Sequence, residues 1–137
     1  MKIRLKILLH RKVNYGKSMK INSFKDLLAW KISYQLAIEI YKTTQKFPKH
    51  ELFGITNQIR RAVVSISSNI AEGFSREGRQ EKKQFYRYAK SSATEVESQL
   101  LLSLGLKYVS KEDFKKINEL LDRSQRLLHG LIKNIPQ

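Results

Sequence analysis

Apolar residues recur with a helical period from Leu27 almost to the C terminus of this chain. The first stripe is Leu27, Trp30, Tyr34, Ala37 and Tyr41, widened by Leu28, Ile38 and Ile40. Steps of three and four residues return side chains to one face of an α-helix. Ser23 with Asp26 three residues on reads as a capping box at its start, and Phe47-Pro48 ends it, because Pro48 lacks an N–H and pushes its predecessor out of helical geometry. A second helix is predicted from about Glu51 to Glu72, with Leu52, Ile55, Ile59, Ala62, Val63, Ile66 and Ile70 on one face. Gly73 and Gly78 bracket the polar connection GFSREG, where glycines can adopt positive φ at a helix end. A third helix follows from about Arg79 to Leu104, with the stripe Phe85, Tyr88, Ser92, Val96, Gln99 and Ser103, flanked by Ala89, Leu100 and Leu102. The fourth starts at Ser110, with Asp113 completing a second capping box and Val109 placed to staple onto Phe114. Phe114, Ile117, Leu121, Ser124, Leu128, Leu131 and Ile135 then alternate steps of three and four, the pattern of a bundle seam. No pair of strands is readable, and the connections are short. Short connections make successive helices antiparallel neighbours, so residues 21–137 are expected to form an all-α, up-down-up-down antiparallel four-helix bundle.

The chain has 137 residues, enough for one domain with its own core. It has no cysteine, which excludes disulfides, zinc–thiolate sites, iron–sulfur clusters and thiol nucleophiles. The longest apolar stretch, Leu100 to Leu106, is interrupted by Ser103 and is too short to span a membrane. The formal charge is +15, which points to a polyanionic partner. That charge is uneven. Residues 1–20 hold seven basic side chains (Lys2, Arg4, Lys6, Arg11, Lys12, Lys17 and Lys20) and no acid, leaving +8 on the rest. The apolar run Leu5 to Leu9 contains Lys6 between Arg4 and Arg11, a poor secretion signal, and the protein is expected to be cytoplasmic. Alternation at Ile3, Leu5 and Ile7 would suit a strand but finds no partner. Residues 1–20 are expected to be a basic extension, disordered or not native, with functional translation starting at Met19. The rival reading is a basic arm that folds on nucleic acid.

Catalytic constellations are missing from the pattern. Carboxylate-bridged metal sites in bundles use inward Glu and Glu-x-x-His pairs. Here Glu95-Val-Glu97-Ser98 carries no histidine, and His10, His50 and His129 lie on separate segments. Ser65, Ser67, Ser68, Ser91 and Ser92 fall within helices, where their hydroxyls are expected to bond preceding carbonyls rather than act as nucleophiles. The Gly73–Gly78 segment lacks the Lys-Ser/Thr of a phosphate-binding loop. No enzyme activity, metal or cofactor is expected.

Two features exceed a plain bundle. Ser65, Ser68 and Asn69 on the second helix and Ser92, Glu95 and Gln99 on the third lie on or near core faces. Buried polar groups need partners, so an interhelical network around Asn69 and Glu95 that fixes register is expected, the alternative being a polar subunit contact. The other feature is basic clustering. Arg76, Arg79, Lys82, Lys83, Arg87 and Lys90 outnumber Glu77 and Glu81, with Tyr86 and Tyr88 interleaved and Arg60-Arg61 nearby on the second helix. Such residues neutralise phosphates, and tyrosines stack on unpaired bases. Tyr88 is assigned to the core.

The stretches FKDLLAWKISYQLAIEIYKTTQKFP, ELFGITNQIRRAVVSISSNIAEGFSR and QFYRYAKSSATEVESQLLLSLGLKYVS resemble, in order and spacing, the four-helix-bundle family of the 23S ribosomal RNA intervening-sequence protein. The run from Gln58 to Gly73 is its most specific part, and the likeness covers about Ile21 to Ile135. One departure is Lys107, where the family often has Gly. The resemblance implies a small bacterial protein. Some relatives are encoded within ribosomal RNA genes; others are accessory proteins of diversity-generating retroelements that form basic pentamers and bind nucleic acid and a reverse transcriptase. A pentamer would account for a second apolar stripe at Trp30, Ile32, Leu36 and Ile40. Carried over in this way, Arg60, Arg61, Arg76, Arg79, Lys83 and Arg87 become candidate nucleic-acid contacts, whereas Asn69 and Glu72 look structural.

The expectation is therefore a non-enzymatic homo-oligomer that binds ribosomal or retroelement RNA, or an RNA–protein complex. The alternative is a protein-interaction adaptor, for example an accessory subunit of a reverse transcriptase.

Overall fold

A computed structural model describes residues 20–137; the basic segment through residue 19, and with it the reading of Met19 as the start, lies outside the described residues. Four α-helices occur among the described residues: α1 (Leu28–Thr44), α2 (Ile55–Ser75), α3 (Arg79–Gly105) and α4 (Lys111–Lys133). They run up-down-up-down. α1 packs against α2 and α4, α3 packs against α2 and α4, and the α2–α3 contact is the most extensive. No strand occurs among the described residues.

The helix ends differ from the sequence expectation in instructive ways. The capping box at Ser23 forms, with Ser23 Oγ accepting from the Lys25 N–H (3.2 Å) and Asp26 Oδ2 accepting from the Ser23 N–H (3.1 Å). It closes only a single 3-10 turn, Phe24–Asp26, because Leu27 is extended (ψ 125°) and α1 starts one residue later. That break drops Leu27 into the core, while Phe24 meets Trp30 edge-on (centroids 5.2 Å apart) and Trp30 stacks on Tyr34 (5.3 Å). α2 starts at Ile55 rather than Glu51. A 3-10 turn over Lys49–Glu51 precedes it, and Gly54 turns the chain at φ −109°, ψ −123°. Leu52, assigned to the core face, is consequently exposed, as is Phe53 beside it.

Gly73 does not end α2 and has no positive φ; it lies buried within the helix. Its value is close approach. A Cβ there would come within 2.7 Å of Tyr86 Cε1 and 3.1 Å of Phe85 Cβ, so only a bare Cα lets the Tyr86 ring seat against α2. The positive φ belongs instead to Lys107 (61°). It follows the end of α3, where the Tyr108 N–H donates to Ser103 O (2.9 Å) and the Lys107 N–H to Leu104 O (3.0 Å). These are the two bonds of a Schellman motif, whose left-handed position usually holds glycine. At α4, Ser110 Oγ accepts from the Asp113 N–H (3.1 Å), while the Asp113 carboxylate pairs with Lys46 (3.5 Å). Val109 is buried with Phe114 packed against its cluster, as the staple predicts.

The core consists of Leu36 and Ile40 from α1, Ile59, Val63, Ile66 and Ile70 from α2, Ala89, Ala93, Val96 and Leu100 from α3, and Ile117, Leu121 and Leu128 from α4. Ile32, Leu36 and Ile40 are at most 1% exposed. The stripe offered as a reason for a pentamer is thus the bundle's own core face, with Trp30 half-buried beside it. In α3 the core aromatic is Tyr86 (4% exposed), not Tyr88 (49%), and its burial pushes the phenol pKa up. Ser33 and Ser124 share a 2.8 Å hydrogen bond at full burial, joining α1 to α4 across the core.

Candidate nucleic-acid interface

The eight basic candidates do not form one patch. Three are committed to holding the bundle together. Arg60 Nε donates to Thr44 Oγ1 (2.8 Å) and its guanidinium lies 4.9 Å from the Tyr41 ring centroid, tying α2 to the end of α1. Arg76 pairs with Glu72 (3.2 Å) and covers the Phe85 ring (4.8 Å). Lys82 Nζ donates to Phe74 O (2.7 Å) and to Gly73 O (3.2 Å), which also accepts the Arg76 N–H (3.3 Å), so its ammonium caps the C-terminal end of α2. Arg79 makes a long contact to Gln137 O (3.5 Å). The side chains of Arg61, Lys83, Arg87 and Lys90 make no hydrogen bond or ion pair to another described residue; Lys83 is half-buried and the others are exposed.

Helical geometry sorts these residues further. At 3.6 residues per turn, Arg79, Lys83, Arg87 and Lys90 fall within roughly 80° around α3. Two cross-helix contacts, Arg79 to Gln137 and Gln125 Nε2 to Glu97 Oε2 (2.9 Å), mark this sector as the edge of α3 toward α4. Lys133 stands in the last turn of α4, alongside the start of α3, whereas Arg126 is paired with Asp122 (3.0 Å). The result is a basic edge about three turns long. Arg61 lies elsewhere, on the side of α2 that faces the other edge of α3.

That other edge carries the polar residues. Asn69 Nδ2 donates to Ser65 O (2.8 Å) and Ser65 Oγ (2.9 Å), and Ser92 Oγ bonds Ser65 Oγ (2.9 Å). Gln99 Nε2 donates to Glu95 Oε1 (3.2 Å) and reaches Gln58 Oε1 at 3.5 Å. The predicted network exists in two pieces that do not join Asn69 to Glu95. Glu95 and Ser68 are exposed, not buried, so the expected burial of a carboxylate is corrected. Between the pieces opens a groove of about 400 Å³ lined by Asn57, Gln58, Arg61, Ala62, Ser65, Ser92 and Glu95. Sequence reasoning missed Asn57 and Gln58. The signal available was the spacing Gln58, Arg61, Ser65, Asn69, a polar stripe running beside the apolar one. No three metal-ligating side chains converge among the described residues, and no described helix is long and apolar enough to cross a membrane.

Fold and surface together define a small all-α bundle with a basic edge and a polar groove on opposite sides of α3. Residues 25–130 match the family model described as 23S rRNA-intervening sequence protein, and the chain belongs to that family. A similar fold occurs in a crystal structure from Bacteroides thetaiotaomicron, titled as a protein of unknown function from the S23 ribosomal protein family. It is 25% identical, with a TM-score of 0.73 over 78% of this chain and 100% of the other. No curated protein matches.

Proposed function

We propose that this protein is a non-enzymatic, cytoplasmic RNA-binding bundle that engages phosphates through the α3 edge formed by Arg79, Lys83, Arg87 and Lys90. The observation that carries this reading is the absence of protein partners for Lys83, Arg87 and Lys90 among the described residues. Cations left free along one edge, in a chain of net positive charge, suit a run of phosphates. Membership of a family named for an insertion in ribosomal RNA agrees with it. Homo-oligomers, up to the pentamer that the resemblance implies, would multiply the same edge around one particle.

Arg87→Glu combined with Lys90→Glu is the cleanest test, because both side chains are exposed and bond nothing described. RNA affinity at low salt should fall at least tenfold while helical circular dichroism and hydrodynamic size stay unchanged. Undiminished affinity would overturn the assignment of the edge.

The adaptor reading retains one specific support, the loop residue Phe53, which is 92% exposed next to exposed Leu52. Nuclease treatment separates the readings: a protein partner that stays bound after nuclease, in a chain that does not retain RNA, favours the adaptor.

A further inference from the structure

The groove between α2 and α3 holds two charged side chains, Glu95 and Arg61, whose hydrogen-bonding capacity is largely unused within the bundle. Glu95 receives one hydrogen bond, from Gln99 at 3.2 Å, and Gln58 Oε1 receives only the 3.5 Å approach of the same nitrogen. A ligand that brings N–H donors would fill the open acceptor positions of Glu95 and Gln58. Across the same groove stands Arg61, a rigid fork of donors without a partner among the described residues. Arg61 and Glu95 line one space yet form no ion pair. The groove therefore asks for a ligand with a donor edge toward Glu95 and an acceptor edge toward Arg61. Its volume, about 400 Å³, falls among those of small-molecule sites.

We propose that this groove binds the guanine base of an unpaired nucleotide. Guanine is the only one of the four RNA bases with two adjacent donors on its Watson–Crick edge, N1–H and N2–H₂. A carboxylate can accept both, whereas every other base would set an acceptor against it. The O6 and N7 acceptors of guanine match a bidentate arginine. Tyr88, half exposed and one helical turn from Ser92 on the same edge of α3, supplies a stacking surface for a neighbouring base. The inference rests on the RNA-binding reading and deepens it: the basic edge holds phosphates, and the groove on the far side of α3 reads a base.

Calorimetric titration of the full chain at low salt with the 5′-monophosphates of guanosine, inosine, adenosine, cytidine and uridine tests it. Guanosine monophosphate should bind at least tenfold more tightly than the adenosine, cytidine and uridine nucleotides. Inosine monophosphate, which lacks the N2 amino group, should bind more weakly than the guanosine compound. Glu95→Gln should abolish the preference for guanine. Arg61→Lys keeps the charge but loses the fork, and should weaken the guanosine nucleotide while leaving duplex-RNA affinity unchanged. Equal binding of all five nucleotides, no binding of guanosine monophosphate, or an intact preference in Glu95→Gln would overturn the inference. The inosine comparison uses the unaltered protein and stands even if a variant misfolds. Duplex RNA measured alongside separates the two readings. If duplex binding persists without guanine preference, only the groove assignment falls; if the protein binds neither, the basic edge falls too.

Discussion

Single residues carry the local conflicts of this fold. Lys107 adopts φ 61° in the turn that ends α3, a conformation in which an L side chain is crowded by its own backbone. Its departure from the family's usual glycine was visible in the sequence, but the left-handed geometry was not. Lys107→Gly should raise unfolding free energy by about 1 kcal/mol, less what glycine loses by greater freedom in the unfolded chain. Urea denaturation would read this as a higher midpoint with an unchanged slope, and a lower midpoint would show that Lys107 gains something the turn geometry does not reveal. Gly73 is the converse case. Its position suggested a helix terminator, yet its role is to admit the Tyr86 ring, with which a Cβ would collide at 2.7 Å. A helical period could not choose Tyr86 over Tyr88 as the core aromatic. The α3 stripe is broken by serines and flanked by aromatics at Phe85, Tyr86 and Tyr88, so several arcs of similar width fit it.

At the level of elements, the Ser33–Ser124 bond is the polar contact between α1 and α4 at the bundle centre. Each hydroxyl is fully buried, so truncating one strands the other. Ser33→Ala and Ser124→Ala should each cost about 1–3 kcal/mol, and the double variant should cost clearly less than their sum. Chemical denaturation of the four proteins checks this; additive losses would mean that the two hydroxyls do not depend on each other. Ser124 was legible as a seam position, because it occupies a step of the unbroken three-four series on α4. Ser33 was not, because α1 carries apolar residues around much of its circumference. The same excess misplaced the α1 stripe by a residue or two and left Ile32, Leu36 and Ile40 looking like spare surface when they are core. Helix starts were read from caps, and the caps are real. The Ser23 cap closes a 3-10 turn rather than α1, since Leu27 leaves helical geometry to reach the core.

For the whole molecule, charge decides what the surface can do. Residues 21–137 carry +8 by formal count, and α3 gathers four cations on one edge. If those four neutralise about four phosphates, the logarithm of RNA affinity should fall with the logarithm of salt at a slope of roughly −3 to −4. Arg87→Glu with Lys90→Glu should flatten that slope by about two. A slope near zero in the unaltered protein would mean that the edge does not meet phosphate. The eight basic candidates looked like one cluster in sequence because most fall between residues 76 and 90. In three dimensions Arg60, Arg76 and Lys82 turn to carbonyls, a carboxylate, a hydroxyl and aromatic rings of their own bundle, and Arg61 faces a different groove.

The sequence alone determined the number of helices, their antiparallel order and the bulk of the core. Those follow from periodic burial of apolar side chains and from short connections, both local properties of a chain. Tertiary structure alone decided which of several adjacent residues turns inward, which cations are spent on helix ends and ion pairs, and which polar side chains meet across α2 and α3. These outcomes depend on the rotation of each helix about its axis, set by how closely neighbouring backbones approach. At Gly73 and Tyr86 that approach is fixed by one missing Cβ, a term that helical periodicity does not contain.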